Sequence, residues 1–189
     1  MYILVAGHSF IRRLAFDARV RSLDFSSPDY EVEFIGKGGA TIAGSKTVYA
    51  EIKAALTLKK PKLVILELGS NDLDLSRHPS VDVQLLAKTL VGKAKAMASQ
   101  SKITVVLCLP IPRNEAQFPG SFKITDQFNQ ALKAEVEPYP NIHCWAHRGL
   151  FKRDDHFLDK HGVHLNSLGT IRYFHSIRAA IKYHVARSD

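Results

Sequence analysis

Apolar residues along this chain come in short unbroken runs and in helically spaced sets, and the two kinds alternate throughout. Tyr2 to Ala6 (YILVA) is a β-rich run that breaks at Gly7, as a strand buried on both faces should. Phe10, Ile11, Leu14, Ala15 and Ala18 then fall at helical spacing, which predicts a helix over 9–20. Residues 30–35 alternate as Tyr-Glu-Val-Glu-Phe-Ile, the pattern of a strand nearer a sheet edge. A glycine-rich turn, GKGGAT, follows, and helical spacing resumes over 48–56. KLVILEL (62–68) is the strongest strand and ends at the turn GSND. Beyond it the pattern predicts a helix over 81–98 and a buried strand over 103–109, closed by Pro110 and Pro112. A helix over 122–136 stops before Pro138 and Pro140. A short strand over 142–145, a polar loop over 146–166 and a final helix over 167–185 complete the chain.

Strands that alternate with helices imply an α/β sandwich around a mostly parallel sheet of about five strands. The 189 residues suit one domain, with no repeat, low-complexity tract or linker to divide them. In such sheets ligands bind beyond the carboxyl ends of the strands. Each unusual loop sequence here follows a strand end.

Four segments carry the candidate chemistry: Gly7-His8-Ser9, Gly38-Gly39-Ala40-Thr41, Gly69-Ser70-Asn71-Asp72 and Gly162-Val163-His164-Leu165-Asn166. Singly, each has a plain explanation: a helix cap, a glycine turn, an Asx turn, a polar loop. Together they hold the parts of an acyl-transfer site. A serine opening a helix can aim its hydroxyl into a cleft while its N–H helps hold an oxyanion. A glycine N–H can approach a substrate closely, and an asparagine amide adds an uncharged donor. A histidine from the last loop can take the serine's proton and return it to the leaving group.

The order Ser, Gly, Asn, His, with the motifs LELGSND and GVHLN after strand ends, resembles the SGNH (GDSL-like) hydrolase superfamily over nearly the whole chain. The resemblance implies a three-layer α/β/α sandwich of flavodoxin-like type and a small-molecule carboxylic ester as substrate. Matched residue by residue, Ser9 resembles the family nucleophile and His164 its base, while Gly39 and Asn71 resemble its oxyanion donors. Neither a cofactor nor a metal is implied. The Gly-His-Ser-Phe opening also resembles esterase-like domains inside retrotransposon-encoded proteins of invertebrates.

Two positions depart from the family pattern. His8 stands where the first block usually has Asp, and His161 stands three before His164, where the last block has its acid. Three outcomes stay open at this point. Asp159 or Asp155 reaches the imidazole from elsewhere in the loop, with Asp159 the candidate acid; a backbone carbonyl orients His164 in a dyad; or the domain has lost catalysis and kept binding. Asp72, Asp74, His156 and His161 fit no structural-zinc spacing, and solvated loop residues are the plainer reading.

Charge adds an alternative. Lysine and arginine outnumber acids 26 to 18, a net charge of +8, which favours an anionic partner such as nucleic acid or an anionic surface. The basic residues are scattered, so a merely basic surface explains them too. A binding module on a retired hydrolase fold is therefore the alternative to an esterase, and an acyltransferase using the same serine is a third. Cys108 and Cys144 lie in apolar runs and read as buried thiols. No apolar run approaches the ~20 residues a membrane span needs. The opening MYILVAGHSF reads as a strand rather than a signal peptide, so a cytoplasmic location is expected. No long insertion can form a lid, and an open, shallow site favours short, acetyl-type acyl groups.

Overall fold

The computed structural model describes residues 1–20, 23–43, 48–99, 103–150 and 155–187, without the side chains of Val20 and Asp155. Five strands, β1 (Tyr2–Gly7), β2 (Glu31–Gly36), β3 (Leu63–Glu67), β4 (Thr104–Cys108) and β5 (Ile142–Trp145), form one sheet in the order β2-β1-β3-β4-β5. Every pairing is parallel. Five α-helices connect or follow them: α1 (Ser9–Val20), α2 (Tyr49–Lys59), α3 (Val83–Ala98), α4 (Ser121–Val136) and α5 (Ser167–Val185).

Side chains alternate across a strand, so each central strand feeds two cores. Leu4, Ala6, Val64, Leu66, Val105 and Leu107 point to the face covered by α2, α3 and α4. Ile3, Val5, Leu63, Ile65, Val106 and Cys108 point to the opposite face, against Ile11 and Leu14 of α1 and Tyr173 and Ile177 of α5. Burial on both faces is why β1, β3 and β4 read as unbroken apolar runs. β2 lies at one edge, half-buried, which is why its sequence alternates.

The element boundaries differ from expectation where local chemistry intervenes. α3 begins at Val83 rather than 81 because the Asp82 carboxylate caps it, accepting from the N–H groups of Gln84 and Leu85. α2 runs to Lys59 and ends on Lys60 in the left-handed conformation (φ 47°), just before Pro61. The polar loop over 146–166 contains a short 3₁₀ turn, Asp155–Phe157, and an antiparallel bridge between Leu158 and Leu165. That bridge decides the site.

The chain leaves β1 toward β2 on one side and returns to β3 on the other, so the strand order reverses between β1 and β3. A crevice opens at such a switch point, beyond the carboxyl ends. Ser9 follows β1 there, Gly39 follows β2 and Asn71 follows β3.

Candidate active site

Ser9 opens α1 directly after β1 and is 9% exposed. The capping role belongs to its neighbour: His8 Nδ1 accepts from the Phe10 N–H at 3.3 Å. His8 is 1% exposed, and its Nε2 lies 3.7 Å from Oε1 of the fully buried Glu67 on β3. This contact accounts for the histidine in the first block, since an aspartate there would set two carboxylates against each other in the core.

Gly39 occupies the third position of a turn closed by the Ala40 N–H on the Lys37 carbonyl at 3.2 Å, with φ 73°. A positive φ at that position is the requirement of a type II turn, and glycine meets it without strain. The Ala40 carbonyl accepts from Asn71 Nδ2 at 2.9 Å, so the candidate oxyanion donors Gly39 and Asn71 are tied together. Asp72 fastens the same loops, its carboxylate accepting from the Ile42 N–H at 3.1 Å; burial raises its pKa to about 6.

Behind Asn71 lies a residue that no motif marks. Arg113, in the loop after β4, is 8% exposed. Its Nη1 donates to Asp74 Oδ2 at 2.6 Å and its Nη2 to Asn71 Oδ1 at 3.3 Å. With Oδ1 held by a guanidinium, the Asn71 amide can only present its N–H groups toward Ala40 and the crevice. A basic residue after a buried strand was the available signal, but nothing local ties it to a partner 42 positions away.

His164 comes from the loop before α5, with its ring centroid 6.5 Å from that of Phe10, next in sequence to Ser9. No hydrogen bond joins the Ser9 hydroxyl to His164 among the described residues. Asp159 is the acid beside the imidazole: Oδ2 lies 3.6 Å from Nδ1, an ion-pair distance longer than a hydrogen bond. The Leu158–Leu165 bridge explains how a carboxylate five positions upstream reaches it. Asp159 and His164 are cross-strand neighbours, the Asp159 N–H donating to the His164 carbonyl at 2.6 Å. Asp159 Oδ1 accepts in turn from the backbone N–H groups of His161 (3.1 Å), Val163 and His164 (both 3.4 Å). Burial opposes ionisation of this carboxyl, but the backbone donors and His164 outweigh it and hold its pKa down. His161 itself is exposed and enters the arrangement through its backbone. The side chain of Asp155, the other acid considered, lies outside the described residues.

Burial lowers the pKa of His164, Arg13 lowers it further and Asp159 pulls the other way, so the imidazole stays neutral to a lower pH than usual. A neutral imidazole with a carboxylate on Nδ1 has its Nε2 free as a base.

Among the described residues, one group of three side chains brings metal-ligand atoms within 4.8 Å of one another: Glu67, Cys108 and His147. All are buried, and Glu67 Oε2 already accepts from His147 Nε2 at 2.8 Å and from the Tyr173 hydroxyl at 3.0 Å. Burial and Glu67 push the Cys108 thiol well above its ordinary pKa, leaving it an inert core group. Asp72, Asp74, His156 and His161 do not gather: Asp72 holds Ile42, and Asp74 pairs with Arg113 and with Arg77 at 3.2 Å. Both cysteines are free. Among the described residues, no helix is long and apolar enough to cross a membrane.

Comparison with known proteins bears on the family and the fold. Residues 9–170 match the model of the GDSL-like Lipase/Acylhydrolase family. No curated protein sequence matches. Among solved structures, an acetyl xylan esterase is similar with a TM-score of 0.73 at 18% identity, over 96% of this chain and 100% of that one. A member of the lipolytic G-D-S-L family from Veillonella parvula DSM 2008 gives 0.69 at 23% identity, over 95% and 96%. A lipase/acylhydrolase from Enterococcus faecalis gives 0.69 at 18% identity, over 97% of both chains. At such identities the likeness is one of fold.

Proposed function

The chain belongs to the GDSL-like lipase/acylhydrolase family, and from that premise we propose that it is a serine esterase acting on short-chain, acetyl-type esters with Ser9 as nucleophile. The observation that carries the reading is the carboxylate of Asp159 at Nδ1 of His164, on the loop that faces the Ser9 end of α1.

His164 Nε2 takes the Ser9 proton as Oγ bonds to the ester carbonyl carbon. The carbonyl oxygen becomes an oxyanion, held by the N–H groups of Gly39 and Ser9 and by the Asn71 amide that Arg113 orients. His164 then gives its proton to the alkoxide leaving group, and an acyl-Ser9 ester remains. A water deprotonated by His164 attacks that ester, and the acid and free Ser9 are regenerated. Asp159 supports the imidazolium through both halves. Closure by roughly 0.6 Å would bring it within hydrogen-bond distance, as catalytic contacts often tighten once substrate is bound. The loops around Ser9 carry no long insertion, which supports small acyl groups over long chains.

Hydrolysis of 4-nitrophenyl acetate by the wild type and Ser9→Ala tests this reading. The variant should lose about a thousandfold or more of the turnover. Equal rates would reject the nucleophile and direct attention to binding of nucleic acid or an anionic surface, for which the charge of +8 is the support.

A further inference from the structure

The residues one helical turn beyond Ser9 are consecutive arginines, Arg12 and Arg13. At positions i+3 and i+4 they project on the same side of α1 as Ser9, about 4.5–6 Å further along the axis. Both are exposed, and among the described residues neither has a carboxylate partner.

Both line one recess, Arg12 nearer the oxyanion side and Arg13 nearer the histidine side. Arg12 turns toward the oxyanion side: a methyl group at Gly38 would stand 3.4 Å from its Cζ and Nη1 and 3.5 Å from its Nη2. Three near-equal distances mean that the guanidinium lies flat beside the Gly38–Gly39 turn. Gly38 has no positive φ, so its backbone does not require glycine, and the open surface it leaves is the one Arg12 occupies. Arg13 turns toward the histidine side, where it is the largest charge effect on His164. Arg12, Arg13, Phe16, Asp17 and Thr170 line a recess of about 450 Å³ along α1. The acid in it, Asp17, is eight residues from Ser9, about 12 Å along the helix and beyond the arginines.

Resting on the esterase reading, we infer that the substrate is an ester carrying a carboxylate or phosphate about one helical turn from its scissile carbonyl, and that Arg12 and Arg13 bind that anion. A guanidinium offers several donors in one plane to such an oxyanion. A neutral acetyl ester would use the Ser9 crevice alone. An ester with an anion on its acyl side or on its alcohol side would use the arginines as well.

Two matched pairs separate the two sides. Monomethyl succinate against methyl butyrate places the charge on the acyl side, and 4-acetoxybenzoate against phenyl acetate places it on the alcohol side. Binding is read by equilibrium titration on Ser9→Ala, which holds the ester without turnover, and kcat/KM is read on the wild type by acid release. For at least one pair the anionic ester should bind about tenfold tighter than its neutral match, a preference that weakens as salt rises. In Arg12→Gln/Arg13→Gln that ratio should collapse toward one, and in Arg12→Lys/Arg13→Lys it should be largely restored. Equal ratios for wild-type and glutamine arginine pairs, or no preference in either matched pair, would overturn the inference. Preference in binding without Ser9-dependent turnover would keep the anion site and reject the esterase. Turnover without preference would do the reverse.

Discussion

Glu67–His147 and Asp159–His164 are both carboxylate–imidazole pairs, and the better formed of the two lies in the core rather than at the proposed chemistry. Glu67 and His147 meet at 2.8 Å with both side chains fully buried, and Tyr173 and Ser176 add a hydrogen bond to each. Asp159 and His164 stand 3.6 Å apart, each about one quarter exposed. A buried charge must be paired and hydrogen-bonded to be tolerated at all, so the first pair is tight because the fold needs it. A catalytic imidazole must instead reach substrate, gain and lose a proton, and stay in contact with water. The second pair is loose because nothing in folding forces it closed.

The contrast can be broken most severely at Glu67. Glu67→Ala strands the buried His147 and Tyr173 hydroxyl without an acceptor and should cost about 3–5 kcal/mol of stability, read by urea unfolding. Its effect also carries a pH signature. The buried hydrogen bond from His147 and the His8 imidazole 3.7 Å away overcome desolvation and hold Glu67 at about 2, below its ordinary 4.5. A carboxylate depressed in this way stabilises the fold above its unfolded value and loses that contribution as pH falls toward the folded one. Wild-type stability should therefore drop between pH 4.5 and 2, and Glu67→Gln should flatten that part of the curve. A Glu67→Ala protein as stable as wild type would show that the buried pair contributes nothing to the fold.

A smaller effect is expected at the other pair. Asp159→Asn keeps the bridge of backbone hydrogen bonds in reach but removes the charge behind Nδ1. It should lower kcat for 4-nitrophenyl acetate about tenfold, near 1.4 kcal/mol, well short of the ten-thousandfold that a buried triad acid contributes. Melting temperature should hardly move, since partly exposed ion pairs contribute little. An unchanged kcat would assign His164 to a dyad oriented without Asp159.

The smallest effect belongs to Arg13. After burial it is the next cause of the lowered His164 pKa, so Arg13→Gln should raise that pKa. The base works in its neutral form, and the acid limb of the kcat/KM profile for 4-nitrophenyl acetate should accordingly move to higher pH. The shift should shrink in high salt, because Arg13 is exposed and screened. A limb that stays in place would mean that His164 is not the base seen in the profile.

Hydrophobic patterning and motif order are enough for the layers and for the order of the chemistry. Unbroken apolar runs in β1, β3 and β4 can only be buried on both faces, and the alternation in β2 marks an edge. Loops after strand ends carry Ser9, Gly39 and Asn71, and the long polar loop before α5 carries His164, so the order of the chemistry is legible without long-range information. One further signal is legible in the sequence: Glu67 is a charge inside the strongest strand, and a charge there demands a buried partner. Which partner it finds was a matter for the tertiary structure alone, because His147 lies 80 residues away and Tyr173 lies 106 away. The same holds for Arg113, which reaches Asn71 across 42 residues. Even the short-range question of the acid was tertiary in nature. Spacing along the chain put His161 at the expected position, but the antiparallel bridge between Leu158 and Leu165 set Asp159 opposite His164 instead. Patterning reports which face of an element is buried, and it carries no record of which side chains from different elements meet there.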